Sequence, residues 1–166
     1  MILGLSFDAF TTLHVIISLI GIISGLVVVW GMLGNRKLAG WTAVFLAFTV
    51  LTSITGFPIP PFGIDPPRVI GIISLVLLAG AILGHYVFHL QGAWRWIYVV
   101  TAVISLDLNV FVFVIQAFQK LAFLQPFAPT QSEPPFVAAQ ALVLALFAGL
   151  GFLSVKRFKP AALARA

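Results

Sequence analysis

The chain has 166 residues, 61% of them hydrophobic and 8% charged, where a soluble domain carries roughly 25% charged residues. Together with a mean hydropathy of +1.17, this makes lipid the expected solvent. The absence of cysteine excludes disulfides, thiolate nucleophiles, iron–sulfur clusters and covalently attached c-type haem, and the net charge of +5 comes from basic residues at the ends of apolar runs, which anchor to headgroups and imply no nucleic-acid partner.

Five apolar runs predict membrane spans at residues 12–33, 38–57, 69–89, 94–118 and 136–153. A helix needs about 20 residues, at 1.5 Å each, to cross a ~30 Å hydrocarbon core. The runs are continuous rather than alternating, and too few for a closed barrel. The predicted fold class is therefore all-α, an integral membrane bundle of five transmembrane helices in a single domain covering 1–166.

The leader before the first span has no Lys or Arg and carries Asp8, so the span reads as retained rather than cleaved. His14 shares a stripe with Ser18, Gly21 and Gly25, whose small side chains let another helix approach closely. The span stops at Asn35-Arg36-Lys37. Span 2 offers Thr49, Thr52 and Ser53 near mid-depth, and the proline-rich segment 57–67 follows as a semi-rigid cap. Span 3 repeats the small-residue spacing at Gly80 and Gly84, then places His85 and His89 four residues apart. That spacing can present two nitrogens to one metal, but no third ligand completes a site.

Span 4 holds the sharpest candidates. Asp107 is the only acidic residue within a span, on a stripe with Val103, Phe111, Val114 and Phe118. An ionisable group at such depth is a functional hypothesis by default. On another face Ser105, Asn109, Gln116 and Lys120 form a polar stripe that can line a watery crevice or bond neighbouring helices. With Asp107 they are the expected ion or solute path. A second proline-rich loop, 125–135, leads to span 5, where Ala141, Ala145 and Gly149 again repeat at four-residue steps and suit helix packing, within the chain, in a homo-oligomer or in a larger membrane complex.

With the N-terminus outside, the inner face collects Arg36, Lys37, Arg95, Lys156, Arg157, Lys159 and Arg165, and the outer face keeps Arg68 and Lys120. This bias predicts the N-terminus outside and the C-terminus inside. The sequence carries no hydrolase triad, HExxH, P-loop or other catalytic motif, and no catalytic residue or cofactor is assigned. The leading expectation is a non-enzymatic membrane protein, a small transport or channel-like unit or an accessory subunit. The alternative is a membrane redox protein binding haem b or quinone through His14, His85 and His89. Haem needs two ligands at one depth, whereas His14 and the other two are separated by ~15–25 Å along the helix axes at 1.5 Å per residue.

The turn Asn35-Arg36-Lys37-Leu38-Ala39-Gly40-Trp41 and the turn His89-Leu90-Gln91-Gly92-Ala93-Trp94-Arg95 resemble those of a broad group of bacterial multi-span membrane proteins of unknown function. In that group a His-Arg pair usually leads to the glycine, and Asn35 stands here where the histidine would be. The resemblance implies a bacterial inner membrane and no particular activity.

Overall fold

The computed structural model describes residues 1–60 and 62–160, so Arg165 lies outside the described residues. The order is α1 (Phe7–Leu33), α2 (Ala39–Gly56), α3 (Pro66–Ile82) running into a π-helical turn (Leu83–Val87), α4 (Ala93–Lys120), a short 3₁₀ turn (Gln125–Phe127) and α5 (Pro134–Arg157). Each of the five long helices, α3 taken with its π-turn, is long and apolar enough to cross a membrane. The described residues are all-helical apart from turns and one isolated bridge between Ile2 and Leu5, which fits a multi-span membrane protein. Their outward faces carry large apolar side chains, among them Ile23, Val76, Leu142 and Phe152, as lipid contact requires.

Two helix starts differ from the sequence expectation, each for a capping reason. Ser6 accepts from the Ala9 N–H at 3.2 Å and starts α1 at Phe7. Asp65 accepts from the Arg68 N–H at 3.0 Å while prolines fill the first turn, which starts α3 at Pro66. A third difference is a correction. His89 does not continue the helix of His85: the chain leaves the π-turn, and His89 and Leu90 both adopt left-handed backbone, with φ of 49° and 61°. The helical i, i+4 pairing of the two histidines is therefore lost.

α1 packs most extensively on α2, and α4 touches every other helix, with α5 laid against α4 and α1. Gly21 and Gly25 bring α1 against α2 and α4: a Cβ on Gly25 would stand 2.6 Å from Leu106 Cδ1 and 2.8 Å from the Phe45 ring. Gly80 and Gly84 do the same for α3 against Thr101, Trp94 and Tyr98 of α4. By contrast, Ala141, Ala145 and Gly149 are exposed, and nothing lies within 4 Å of a Cβ on Gly149.

The apolar core occupies one half of the bundle. Val28, Val29, Met32, Phe45, Leu46, Leu78, Tyr98 and Leu106 fill the end where α1 and α3 finish. At the opposite end, where α1 begins, α2 finishes, α3 begins and α4 finishes, the four helices enclose space instead.

Candidate functional site: a chamber at the loop end

That space is a cavity of about 830 Å³, within the ~300–1,000 Å³ usual for small-molecule sites. Its walls come from α1 (Thr11, His14, Val15, Ser18), α2 (Thr49, Thr52, Ser53), α3 (Ile70, Gly71, Ser74) and α4 (Asn109, Val112, Phe113, Gln116, Lys120). Gly21 sits at the floor, with Thr49 Oγ1 and Asn109 Nδ2 at 3.2 and 3.4 Å from where its Cβ would be. One turn further along α1, Gly25 meets the packed side chains of Leu106 and Phe45, so the core closes the chamber from below.

The polar groups on its two sides differ in what they offer. A hydroxyl has one proton to give. Ser18 donates it to His14 O at 2.8 Å, Thr49 to Phe45 O at 2.7 Å, Thr52 to Phe48 O at 2.8 Å and Ser53 to Thr49 O at 3.1 Å. Towards the chamber these four present lone pairs. Thr55 likewise donates to Leu51 O at 2.7 Å, so in its 2.8 Å contact with His14 it accepts from Nδ1–H. With Nδ1 as the donor, a neutral ring would carry its lone pair on Nε2, another acceptor. The α1/α2 side thus presents mostly acceptors, with the unpartnered Thr11 hydroxyl left free to donate.

The α4 side supplies donors. Asn109 Nδ2 is buried without a hydrogen-bond partner, and Gln116 and Lys120 follow it at steps of seven and four towards the mouth. The sole ion pair among the described residues joins Arg68 to Asp65 at 2.7 Å. Arg68 also donates to the carbonyls of Phe57 and Ile59, at 3.2 and 2.6 Å, which folds the proline-rich segment over the rim. Asp65 is therefore paired, and the exposed ammonium of Lys120 at the mouth makes no ion pair among the described residues.

The structure brings three of the five expected path residues together: Asn109, Gln116 and Lys120 line the chamber. Ser105 lies on the same stripe but is fully buried below the floor, donating to Thr101 O at 2.8 Å. Asp107 is not a lining residue. On its stripe Val103 packs at Gly151, the Phe111 carbonyl accepts from Gln140 Nε2 at 3.1 Å, and the Phe118 ring meets Phe136 at 5.5 Å. Asp107 accordingly lies on the seam between α4 and α5, with Oδ1 buried and unpartnered.

His14 is not brought to the other two histidines. His14 belongs to the chamber, while His85 is buried at the opposite end with its ring centroid 5.0 Å from that of Tyr98. Among the described residues no three His, Asp or Glu side chains are grouped to hold a metal ion. Thr11, with a buried and unpartnered hydroxyl, and Thr55, the partner of His14, are the residues that sequence reasoning missed. The His14–Thr55 contact spans 41 positions and leaves no local signature.

Comparison with protein-family models, with curated proteins and with solved structures returned no match.

Proposed function

We propose that the protein is a non-enzymatic, multi-pass membrane protein that admits a small solute into a chamber open to one side, as a small transport-like unit does. The observation that carries this reading is the convergence of the α4 donor stripe with the acceptor wall of α1 and α2 around about 830 Å³, above a packed core. A continuous pore is disfavoured, because Leu106, Phe45 and Met32 fill the path beneath the floor. A chamber closed at one end is the geometry of a binding site or of one state of an alternating carrier, not of an open channel.

Orientation follows from charge. Arg36, Lys37, Arg95, Lys156, Arg157 and Lys159 gather at the core end, whereas Asp8, Asp65 and Glu133 join Arg68 and Lys120 at the chamber end. The positive-inside rule then sets the N-terminus and the chamber outside and the C-terminus inside. The resemblance of the two basic turns to bacterial proteins supports the inner membrane as the location. The exposed Ala141, Ala145 and Gly149 face favours a second reading, an accessory subunit packed through α5 against a larger complex.

The chain has no cysteine, so single cysteines report accessibility without background. In right-side-out vesicles, Ser18→Cys and Gln116→Cys should react with a membrane-impermeant maleimide added outside, while Ser105→Cys stays unlabelled. Labelling of Ser18→Cys from the inner side only, or equal labelling of Ser105→Cys and Ser18→Cys, would refute the one-sided chamber.

A further inference from the structure

We propose that the chamber receives an amphipathic monoanion, with an acid head held by Lys120 and Gln116 at the mouth and an apolar body against Val15, Val112 and Phe113. This inference rests on the chamber reading above and adds the chemistry of the occupant. Charge decides the head. Arg68 and Asp65 neutralise each other, and Lys120 makes no ion pair among the described residues. A cationic ligand would meet Lys120 with no unpaired carboxylate among the lining residues to compensate it. A neutral one would make no use of the exposed ammonium. An acid head instead accepts from the Lys120 ammonium and the Gln116 amide, which sit one helical turn apart on the same face of α4.

The wall decides the body. Apolar side chains of three helices share in the lining, Val15 from α1, Ile70 from α3 and Val112 and Phe113 from α4. The hydroxyls of Thr52 and Ser53, their protons committed to α2 carbonyls, lie along one side as weak acceptors. A purely polar anion would be desolvated there without return, whereas an apolar body gains from burial. A free carboxylic acid and an acidic lipid of the outer leaflet share this chemistry.

The experiment is equilibrium dialysis of radiolabelled benzoate, benzyl alcohol and benzylamine against full-length protein in phosphatidylcholine nanodiscs, with empty nanodiscs subtracted. Benzoate should be retained in preference to the other two. Because a hydrogen bond to a charged group carries about 1.5–3 kcal/mol, Lys120→Gln should weaken benzoate about 10- to 100-fold, and Lys120→Arg should restore most of it. Gln116→Leu gives a second, milder loss should Lys120→Gln compromise folding, which size-exclusion chromatography reports. In phosphatidylglycerol nanodiscs, loss of benzoate retention identifies the acidic lipid as occupant, and unchanged retention identifies a free acid; both outcomes keep the proposal. Absence of benzoate binding, equal binding of benzylamine or benzyl alcohol, or indifference to both Lys120→Gln and Gln116→Leu overturns it. Labelling of Ser18→Cys in the same nanodiscs separates the two readings. If it labels while benzoate fails, the ligand class is wrong and the chamber stands; if it does not label, the chamber itself fails.

Discussion

Among single residues, Asn109 and Asp107 present the same oddity, a buried polar atom with no partner, in opposite contexts. Asn109 faces the chamber, where a ligand or water can accept from its amide. Asp107 lies on the α5 side of α4, outside the chamber lining. Asn109→Leu removes an unpaired buried donor at similar volume and should raise the stability in detergent by about 1 kcal/mol, measured by denaturant titration, while reducing solute binding. Asp107→Asn should change stability by less than about 1 kcal/mol and leave binding intact, since the side chain reaches neither the chamber nor an ion partner. A large loss of binding in Asp107→Asn would return that carboxyl to the centre of the function. The polar stripe was legible because its seven- and four-residue steps fix one direction on a helix. The depth of its Ser105 member was not legible, because periodicity gives direction and not depth: the core rises past Ser105 and stops short of Asn109.

At the level of elements, three small-residue stripes that look alike in the sequence meet different fates. Gly21/Gly25 and Gly80/Gly84 lie at close helix crossings, and Ala141, Ala145 and Gly149 lie on an open surface. Gly25→Ala would drive a methyl into Leu106 and Phe45, which are 0% and 1% exposed and have no room to yield. Overpacking of this kind costs about 1–3 kcal/mol, so the Gly25→Ala protein should unfold at lower denaturant. Gly149→Ala meets nothing within the chain and should be neutral in monomeric preparations. Loss of stability in Gly149→Ala only where the protein self-associates would reveal a contact through α5. Five continuous apolar runs made the helices readable, while the turn after α3 was not: a π-turn followed by left-handed His89 and Leu90 has no local signal, since neither residue is a glycine or an asparagine.

The whole molecule divides into a packed half and a hollow half, and its C-terminal segment is fastened to the packed one. Arg95, legible in the sequence only as an inner-face charge, donates from Nη1 to the carbonyls of Val155 and Phe158 at 2.8 and 2.7 Å and so satisfies the orphan acceptors at the end of α5. Asn35, held in left-handed backbone with φ of 53°, accepts from the Lys159 N–H at 2.8 Å. Asparagine tolerates that conformation better than most residues, and its side-chain oxygen reaches a strand of chain 124 positions away. These two ties, with Phe158 buried at 2% exposure, hold α5 against α1 and α4 at the core end. Hydrogen bonds from a charged donor contribute about 1.5–3 kcal/mol, so Arg95→Gln should raise the population of the opened C-terminal turn about 10- to 100-fold. Trypsin reads this directly, because Lys156 and Arg157 lie beside the tie, whereas Lys159 precedes Pro160 and resists cleavage. When opening is fast relative to cleavage, the cutting rate follows that population. Arg95→Gln protein in detergent should therefore be clipped there faster by a similar factor, with the Ser18→Cys chamber label unchanged. Equal clipping of the two proteins would mean that the lipid-facing side chains of α5 hold its end in place without Arg95.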